Sequence, residues 1–253
     1  MRLKGKVAIV TGAAAGLGRA AAARFAHEGA KVVAADTNHA DGDALAAELA
    51  AQGREAIFVR TDIADEAGVK NLVESTLSRY GRIDILYNNA AILLYDLDGP
   101  VHELSADAWD RVMGVNLRGP FLCAKYVVPH MLKQGGGSIV YLGSPTGLCG
   151  CAPKLTAYST SKAGIMGLTR VMAAAYARNG IRVNSIVPGT MDTPMNGYIL
   201  SDSSAREQYR EAVPMGRLGT AQDIEGIAVF LASDESAYCT GGLYMCDGGL
   251  TAV

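Results

Sequence analysis

The stretch Val7-Ala8-Ile9-Val10-Thr11-Gly12-Ala13-Ala14-Ala15-Gly16-Leu17-Gly18 joins a short β-branched run to a glycine-rich turn and passes directly into a segment of helical spacing, Gly18–His27. A strand that turns straight into a helix points backbone N–H groups and the positive end of the helix dipole at whatever lies above the turn. Glycines there remove the Cβ atoms that would hold an anion away. Gly12, Gly16 and Gly18, with Leu17 between the last two, supply those conditions for a pyrophosphate. The spacing is not the usual G-x-G-x-x-G, and a plain tight turn is the alternative.

Outward from this stretch, short apolar runs alternate with longer segments of helical period. Strands are predicted at Val7–Val10, Lys31–Ala35, Glu55–Arg60, Ile83–Tyr87, Ser138–Leu142, Arg182–Val187 and Leu243–Cys246. Helices are predicted at Gly18–His27, Asp41–Gln52, Glu66–Tyr80, Asp107–Lys133, Thr156–Arg178 and Ala221–Ala232, the last opened by a capping box of Thr220 and Asp223. Most of the strands are apolar on both faces, as a parallel sheet covered by helices requires. The expectation is α/β: a doubly wound parallel sheet of about seven strands with helices on both faces. No linker, charge block or repeat marks a boundary, so residues 1–253 are read as a single domain. Within it, 189–214 reads as an irregular substrate-binding loop or lid with one short helix.

Asp36 ends the second predicted strand 18 positions after Gly18, near the ~20-residue spacing of a carboxylate that hydrogen-bonds the adenosine ribose. A carboxylate there repels a 2′-phosphate, and Thr37, Asn38 and His39 follow it with no Arg or Lys. The expected cofactor is therefore NAD rather than NADP, against the plainer alternative of a surface carboxylate at a strand end.

Composition narrows the remaining possibilities. With 49% hydrophobic and 19% charged residues, the chain can bury a sizeable core. A net charge of -2 leaves no field to gather nucleic acid or anionic lipid, so neither is expected as a partner. No apolar run reaches the ~18 residues of a membrane span. Met1–Lys6 followed by Val7–Val10 resembles a leader only superficially, because the apolar run breaks at Thr11-Gly12, and residue 1 is read as the mature start. The five cysteines are an odd number and thinly spread, which fits a reducing, cytoplasmic setting. Cys149-x-Cys151 has no second pair and the four histidines are scattered, so no metal site is expected.

Tyr158-Ser159-Thr160-Ser161-Lys162 places a phenol and an ammonium one helical turn apart, on one face. A phenol of ordinary pKa ~10 is a poor base near neutrality, and an adjacent cation lowers that value. The pair is thus a candidate proton donor and acceptor. A structural pair is the alternative reading.

Together these residues resemble the short-chain dehydrogenase/reductase family, in its shorter form, over nearly the whole chain. The resemblance implies a Rossmann-like fold and four catalytic positions: Asn116 in Val115-Asn116-Leu117, Ser144 after the fifth strand, Tyr158 and Lys162. It further implies that Asp62 and Ile63 lie at the adenine, that Asn89 and Ala90 belong to the Asn88-Asn89-Ala90 cofactor motif, and that Pro188, Gly189 and Thr193 hold the nicotinamide carboxamide. In the family pattern Tyr158 exchanges the proton, Lys162 acidifies the phenol and binds the nicotinamide ribose, Ser144 holds the substrate oxygen, and Asn116 sits mid-helix beside a water that links Lys162 to solvent. A homotetramer is implied as well. The chain departs from the pattern at Ala91, where glycine is normal, at Gly143 and Tyr141 beside Ser144, and in a Ser144-to-Tyr158 separation one residue longer than in many relatives.

The loops expected at the substrate are mostly apolar: Leu93, Leu94 and Tyr95; Pro145, Leu148, Cys149 and Cys151; Met191, Met195, Tyr198, Ile199 and Leu200. Lys154, Arg206 and Arg210 are their only cations. A neutral secondary alcohol or its ketone, alicyclic or aromatic, is the expected substrate. The competing readings are an enoyl-reductase-like relative, in which the Tyr and Lys usually stand further apart, and a non-catalytic NAD(H) sensor or scaffold, which typically loses one of them.

Overall fold

The computed structural model describes residues 1–253, the side chain of Tyr198 excepted. Seven strands, β1 (Val7–Thr11), β2 (Lys31–Asp36), β3 (Ala56–Arg60), β4 (Ile85–Asn88), β5 (Gly137–Leu142), β6 (Ile181–Pro188) and β7 (Leu243–Cys246), form one sheet in the order β3-β2-β1-β4-β5-β6-β7. Neighbouring strands are parallel, with Val10 opposite Ala34 on one side and Tyr87 on the other. The period-2 alternation of side chains splits the apolar residues between two cores. Ala8, Val10, Val32, Ala34, Ile85, Tyr87, Val140 and Leu142 face one helix layer, while Ile9, Val33, Ala35, Leu86, Ile139 and Tyr141 face the other.

The first layer is built by α1 (Gly16–His27), α2 (His39–Ala51) and α9 (Ala221–Ala232); the second by α3 (Glu66–Tyr80), α5 (Gly119–Gln134) and α6 (Thr156–Tyr176). Helix ends follow local chemistry. Asp65 caps α3 through bonds from Ala67 N and Gly68 N, and Gly81 closes it in the left-handed conformation at φ 74°. The capping box of Thr220 and Asp223 opens α9 as its sequence predicts.

Two segments differ from the sequence reading. The helix expected over Asp107–Lys133 is α4 (Ala106–Met113) and α5 joined through a π-helical turn, Gly114–Arg118, that contains Asn116. An extra residue in one turn shifts the side chains beyond it without breaking the apolar period, so periodicity does not register it. In 189–214 there are two short helices instead of one, α7 (Gly197–Leu200) and α8 (Ser203–Ala212), the latter capped by Asp202. Among the described residues no helix is long and apolar enough to cross a membrane.

The strand order reverses between β1 and β4, and this switch point is tied across its top. Thr11 Oγ1 accepts from the backbone N–H groups of Asn89 and Ala90, both at 3.1 Å, and Asn89 Nδ2 donates to the carbonyls of Thr11 and Gly12, both at 3.1 Å. The tie works only if α1 starts close to the sheet. A Cβ on Gly18 would stand 2.0 Å from the Gly12 carbonyl oxygen and 2.5 Å from Asn89 Nδ2. Alanine is the better helix former elsewhere, yet Gly18→Ala should destabilise this protein by about 1–3 kcal/mol through overpacking. Denaturant unfolding measures this, and a variant as stable as wild type would show that the helix can move away at no cost.

Candidate active site

A cleft of about 520 Å³ opens where β1, β4, β5 and β6 end, lined by Gly12, Asn89, Ser144 and Gly189 from those ends. This is the crevice that an open α/β sheet forms at its switch point. Gly12 and Gly16 stand at φ 66° and 53°, a region that L side chains rarely adopt. A Cβ on Gly12 would come 2.7 Å from Asn89 Nδ2. The turn is thus a bare backbone cradle at the N-terminus of α1, which fits a pyrophosphate. Leu17 and Asp36 line the same end of the cleft. Asp36 accepts from Ala14 N and Asn38 N, each at 3.0 Å, so both its oxygens are oriented from below. Thr193 roofs the cradle, its Cβ 3.7 Å from where a Gly16 Cβ would be.

The proton-handling end lies on β5 and α6. Ser144 follows β5, and the turn after it is pressed onto α6: a Cβ on Gly147 would lie 2.6 Å from Ala163 N. That contact seats the turn against α6, where the Ser144 hydroxyl accepts from Thr146 N at 3.3 Å and Thr146 Oγ1 at 3.0 Å, and its proximity to the Tyr158 phenol draws the phenol pKa down. Burial acts the other way and prevails, so Tyr158 is pushed up to about 12. Lys162, 4% exposed, is brought down to about 8 by burial. Its Nζ stands 5.5 Å from the Tyr158 ring centre and donates to the Leu142 carbonyl at 2.9 Å. The expected acidification of the phenol by the lysine is therefore not expressed in this arrangement, because the ammonium is itself desolvated and spends a donor on the backbone.

Twelve of the sequence-predicted site residues line this one cleft: Gly12, Gly16, Leu17, Asp36, Asn89, Ala90, Ser144, Tyr158, Lys162, Pro188, Gly189 and Thr193. Four do not. Gly18 acts through its missing side chain. Asp62 is exposed and accepts from Ala64 N at 2.9 Å, while Asp65 caps α3. Ile63 is 4% exposed, packed in the second core against Gly119. Asn116, in its π turn, has its amide engaged with the backbone of Ile92: Oδ1 accepts from Ile92 N at 2.8 Å and Nδ2 donates to Ile92 O at 2.9 Å. A further donation to Ser161 Oγ at 3.3 Å joins it to α6. Asn116 thereby holds the segment after β4 against α6.

The substrate side is apolar, with Leu93, Tyr95, Met191, Met195, Ile199 and Leu200 on its walls. Leu94, Leu148 and Cys149 are not among the lining residues, and the Tyr198 side chain lies outside the described ones. Sequence reasoning missed Leu155, Tyr209 and Leu250, which also line the cleft. Asp36 and Lys162 are the only charged lining residues among those described. Arg206 is paired with Asp192, Arg210 with Glu207, and Lys154 is exposed outside the cleft. No three His, Cys, Asp or Glu side chains cluster among the described residues.

Comparison with known proteins agrees with this geometry. A family model described as enoyl-(acyl carrier protein) reductase matches residues 12–251. The 3-oxoacyl-[acyl-carrier-protein] reductase of Thermotoga maritima is 40% identical over 99% of this chain and 99% of its own. The cis-4-hydroxycyclohexanecarboxylate dehydrogenase of Sinomonas cyclohexanicum is 41% identical over 98% of this chain and 97% of its own. Among solved structures, a protein assigned as an NAD(P)-dependent gluconate 5-dehydrogenase of Beutenbergia cavernae, with NADP bound at low occupancy, superposes with a TM-score of 0.93 at 35% identity, covering 99% of this chain and 98% of that one. With the family model matching nearly the whole chain, relatives at about 40% identity over almost their full length and the same parallel-sheet fold in solved structures, the chain belongs to the short-chain dehydrogenase/reductase family.

Proposed function

We propose that the protein is an NAD-dependent oxidoreductase that interconverts a neutral, cyclic secondary alcohol and its ketone. The observation that carries the reading is a half-buried Tyr158 lining one cleft with Ser144 and Lys162, at the junction of a bare glycine cradle and an apolar pocket. A nicotinamide, when bound, supplies the hydride acceptor or donor. Gly12, Gly16 and Leu17 would hold the pyrophosphate, Asp36 the adenosine ribose, and Pro188, Gly189 and Thr193 the carboxamide end. Asn89 and Ala90 would form the cleft floor.

The chain's own residues then manage the substrate oxygen. Ser144, which can donate and accept, holds that oxygen next to the phenol. Tyr158 donates its proton to a carbonyl in reduction and takes it back from the alcohol in oxidation. Lys162, near its own titration midpoint in mildly alkaline conditions, replenishes the proton and binds the nicotinamide ribose. Asn116 keeps the cleft-lining segment and α6 in register. The segment 189–214 acts as the substrate lid. Asp62 and Ile63 serve the adenine side, Asp62 from its exposed position and Ile63 by shaping the wall from the core.

NAD is favoured over NADP because no cation lines the cleft beside Asp36. Arg60 is in register with Asp36 on β3 but is exposed and outside the lining. A cyclic alcohol is favoured because the pocket offers apolar walls, and its one cation, Lys162, sits beside Tyr158 and donates to the Leu142 carbonyl. The cyclohexane ring in the substrate named for the Sinomonas relative accords with the apolar walls, while that substrate carries a carboxylate as well. The enoyl-reductase reading is disfavoured by the single helical turn between Tyr158 and Lys162. A sensor without turnover has no use for the phenol, ammonium and hydroxyl kept together here. The five free cysteines support a cytoplasmic setting, and the exposed Phe121, Leu132 and Val171 on α5 and α6 support a homotetramer.

The reading is tested by absorbance of the reduced nicotinamide while the protein is offered NAD or NADP with neutral cyclic secondary alcohols; turnover only with acyl thioesters would refute it. Tyr158→Phe should lower kcat by about 10²- to 10⁴-fold while NADH still binds, and a near wild-type rate would remove the phenol from the reaction. Asp36→Ala should raise the NADP-to-NAD ratio of kcat/KM by roughly tenfold or more, the scale of one relieved like-charge contact. An unchanged ratio would mean that the ribose is read elsewhere. Lys162 titrates lower in the folded protein than in the unfolded chain, so between the two values the unfolded state binds more protons and stability rises with pH. Wild type should therefore gain stability relative to Lys162→Met from about pH 8 towards 10, before unfolded tyrosines ionise. Parallel stability curves for the two proteins would place the ammonium in water.

A further inference from the structure

Helix α6 carries Tyr158 and Lys162 over 21 residues, yet its N-cap position is Leu155, which offers no side-chain hydrogen bond. The first N–H groups of such a helix need acceptors from elsewhere. They find one in Asp98, which is remote in sequence. Asp98 Oδ1 accepts from Ala157 N at 3.0 Å, and Oδ2 accepts from Tyr158 N at 2.9 Å. Oδ1 also takes the N–H of Gly99 at 2.9 Å. The carboxylate is 9% exposed, and its charge lies at the positive end of the helix. Beside it Thr156 Oγ1 donates to the Gly99 carbonyl at 2.6 Å. Upstream, the same segment is held at Ile92 by Asn116. Between these two anchors lie Leu93 and Tyr95, which line the substrate side of the cleft.

We propose that Asp98 is a positioning residue for proton transfer at Tyr158: by bridging the N–H groups of Ala157 and Tyr158 it locks the first turn of the catalytic helix to the substrate-lining segment 93–98. The bond to the Tyr158 N–H makes this specific. Any slip of that turn moves the phenol relative to Ser144 and the substrate oxygen, and a displacement of about 1 Å costs on the order of 100-fold in rate. Only a carboxylate serves both N–H groups at once. An amide of the same shape accepts one and turns its NH₂ against the other. The inference rests on the reading of Tyr158 as proton donor and acceptor.

The test uses Asp98→Asn and, in parallel, Thr156→Val, which loosens the same junction with the carboxylate in place. For each, kcat on the best alcohol, NADH affinity by fluorescence titration and amide hydrogen exchange at residues 157 and 158 are measured. Asp98→Asn should lose about 10- to 100-fold in kcat, keep wild-type NADH affinity and lose exchange protection at both amides. Thr156→Val should lose severalfold in kcat with NADH affinity unchanged, and it carries the test if Asp98→Asn does not fold. Wild-type kcat in a folded Asp98→Asn protein, or in Thr156→Val when it alone folds, would overturn the proposal. So would equal losses of kcat and NADH affinity, the mark of general loosening. If wild type turns over no alcohol at all, the dehydrogenase reading fails by itself, and exchange still decides the clamp: unchanged protection at 157 and 158 in Asp98→Asn would refute it.

Discussion

The tie between Thr11 and Asn89 is the constraint from which the cleft takes its shape. Two parallel strands whose connections leave in opposite directions have no turn to hold their ends together, and the gap above them would otherwise be free to widen. Here a threonine hydroxyl and an asparagine amide close it with four hydrogen bonds. At about 1 kcal/mol net for each bond, the sum is a sizeable fraction of a domain's stability. Asn89, implied by resemblance as a cofactor residue, thus has its amide nitrogen committed to the scaffold. The glycines follow from the same tie, since Gly12 and Gly18 are the positions where any side chain would collide with it.

The polar end of the cleft stores the opposite kind of energy. Lys162 is taken out of water and Tyr158 partly so, and burial moves each pKa in the direction that favours the neutral form. The two apolar cores on either side of the sheet supply the stability that tolerates this, with strand residues such as Ile9, Val10, Val33 and Ala34 at 0% exposure. An uncharged pair of the same size would be easier to bury, so the arrangement costs stability instead of adding it.

Legibility of the fold in the sequence followed from the alternation of β-branched runs and helical periods. All seven strands and the main helices lie where the pattern puts them, with ends moved by a residue or two through capping. Tyr158, Lys162 and Ser144 were legible because their spacing along one helix and one strand end is a local property. What was not legible depends on contacts across the chain. The π turn at Asn116 hides inside an unbroken apolar period. Asp98 stands in an irregular Asp-Gly-Pro stretch between two turns, and nothing near it announces that its partners are the amides of residues 157 and 158. Leu250 reaches the cleft through the turn that follows β7, packed beside Val213 and Pro214. The Tyr158 pKa went against its expected direction because desolvation, invisible in a spacing argument, outweighed the local partners.

The remote cap on α6 has a consequence for how this fold can change. A helix that begins with its own serine or aspartate ties the preceding loop to a fixed length and to a polar final residue. Here the anchor comes from another part of the chain, so the 145–155 loop is relieved of both duties. Leu155 can be apolar and form part of the pocket wall. The loop can also carry the extra residue that lengthens the path from Ser144 to Tyr158 without displacing the phenol. Insertions and apolar replacements between those two residues therefore alter which molecule fits while leaving the proton machinery in place, and this stretch is where new substrate ranges can be evolved or engineered with least harm to catalysis.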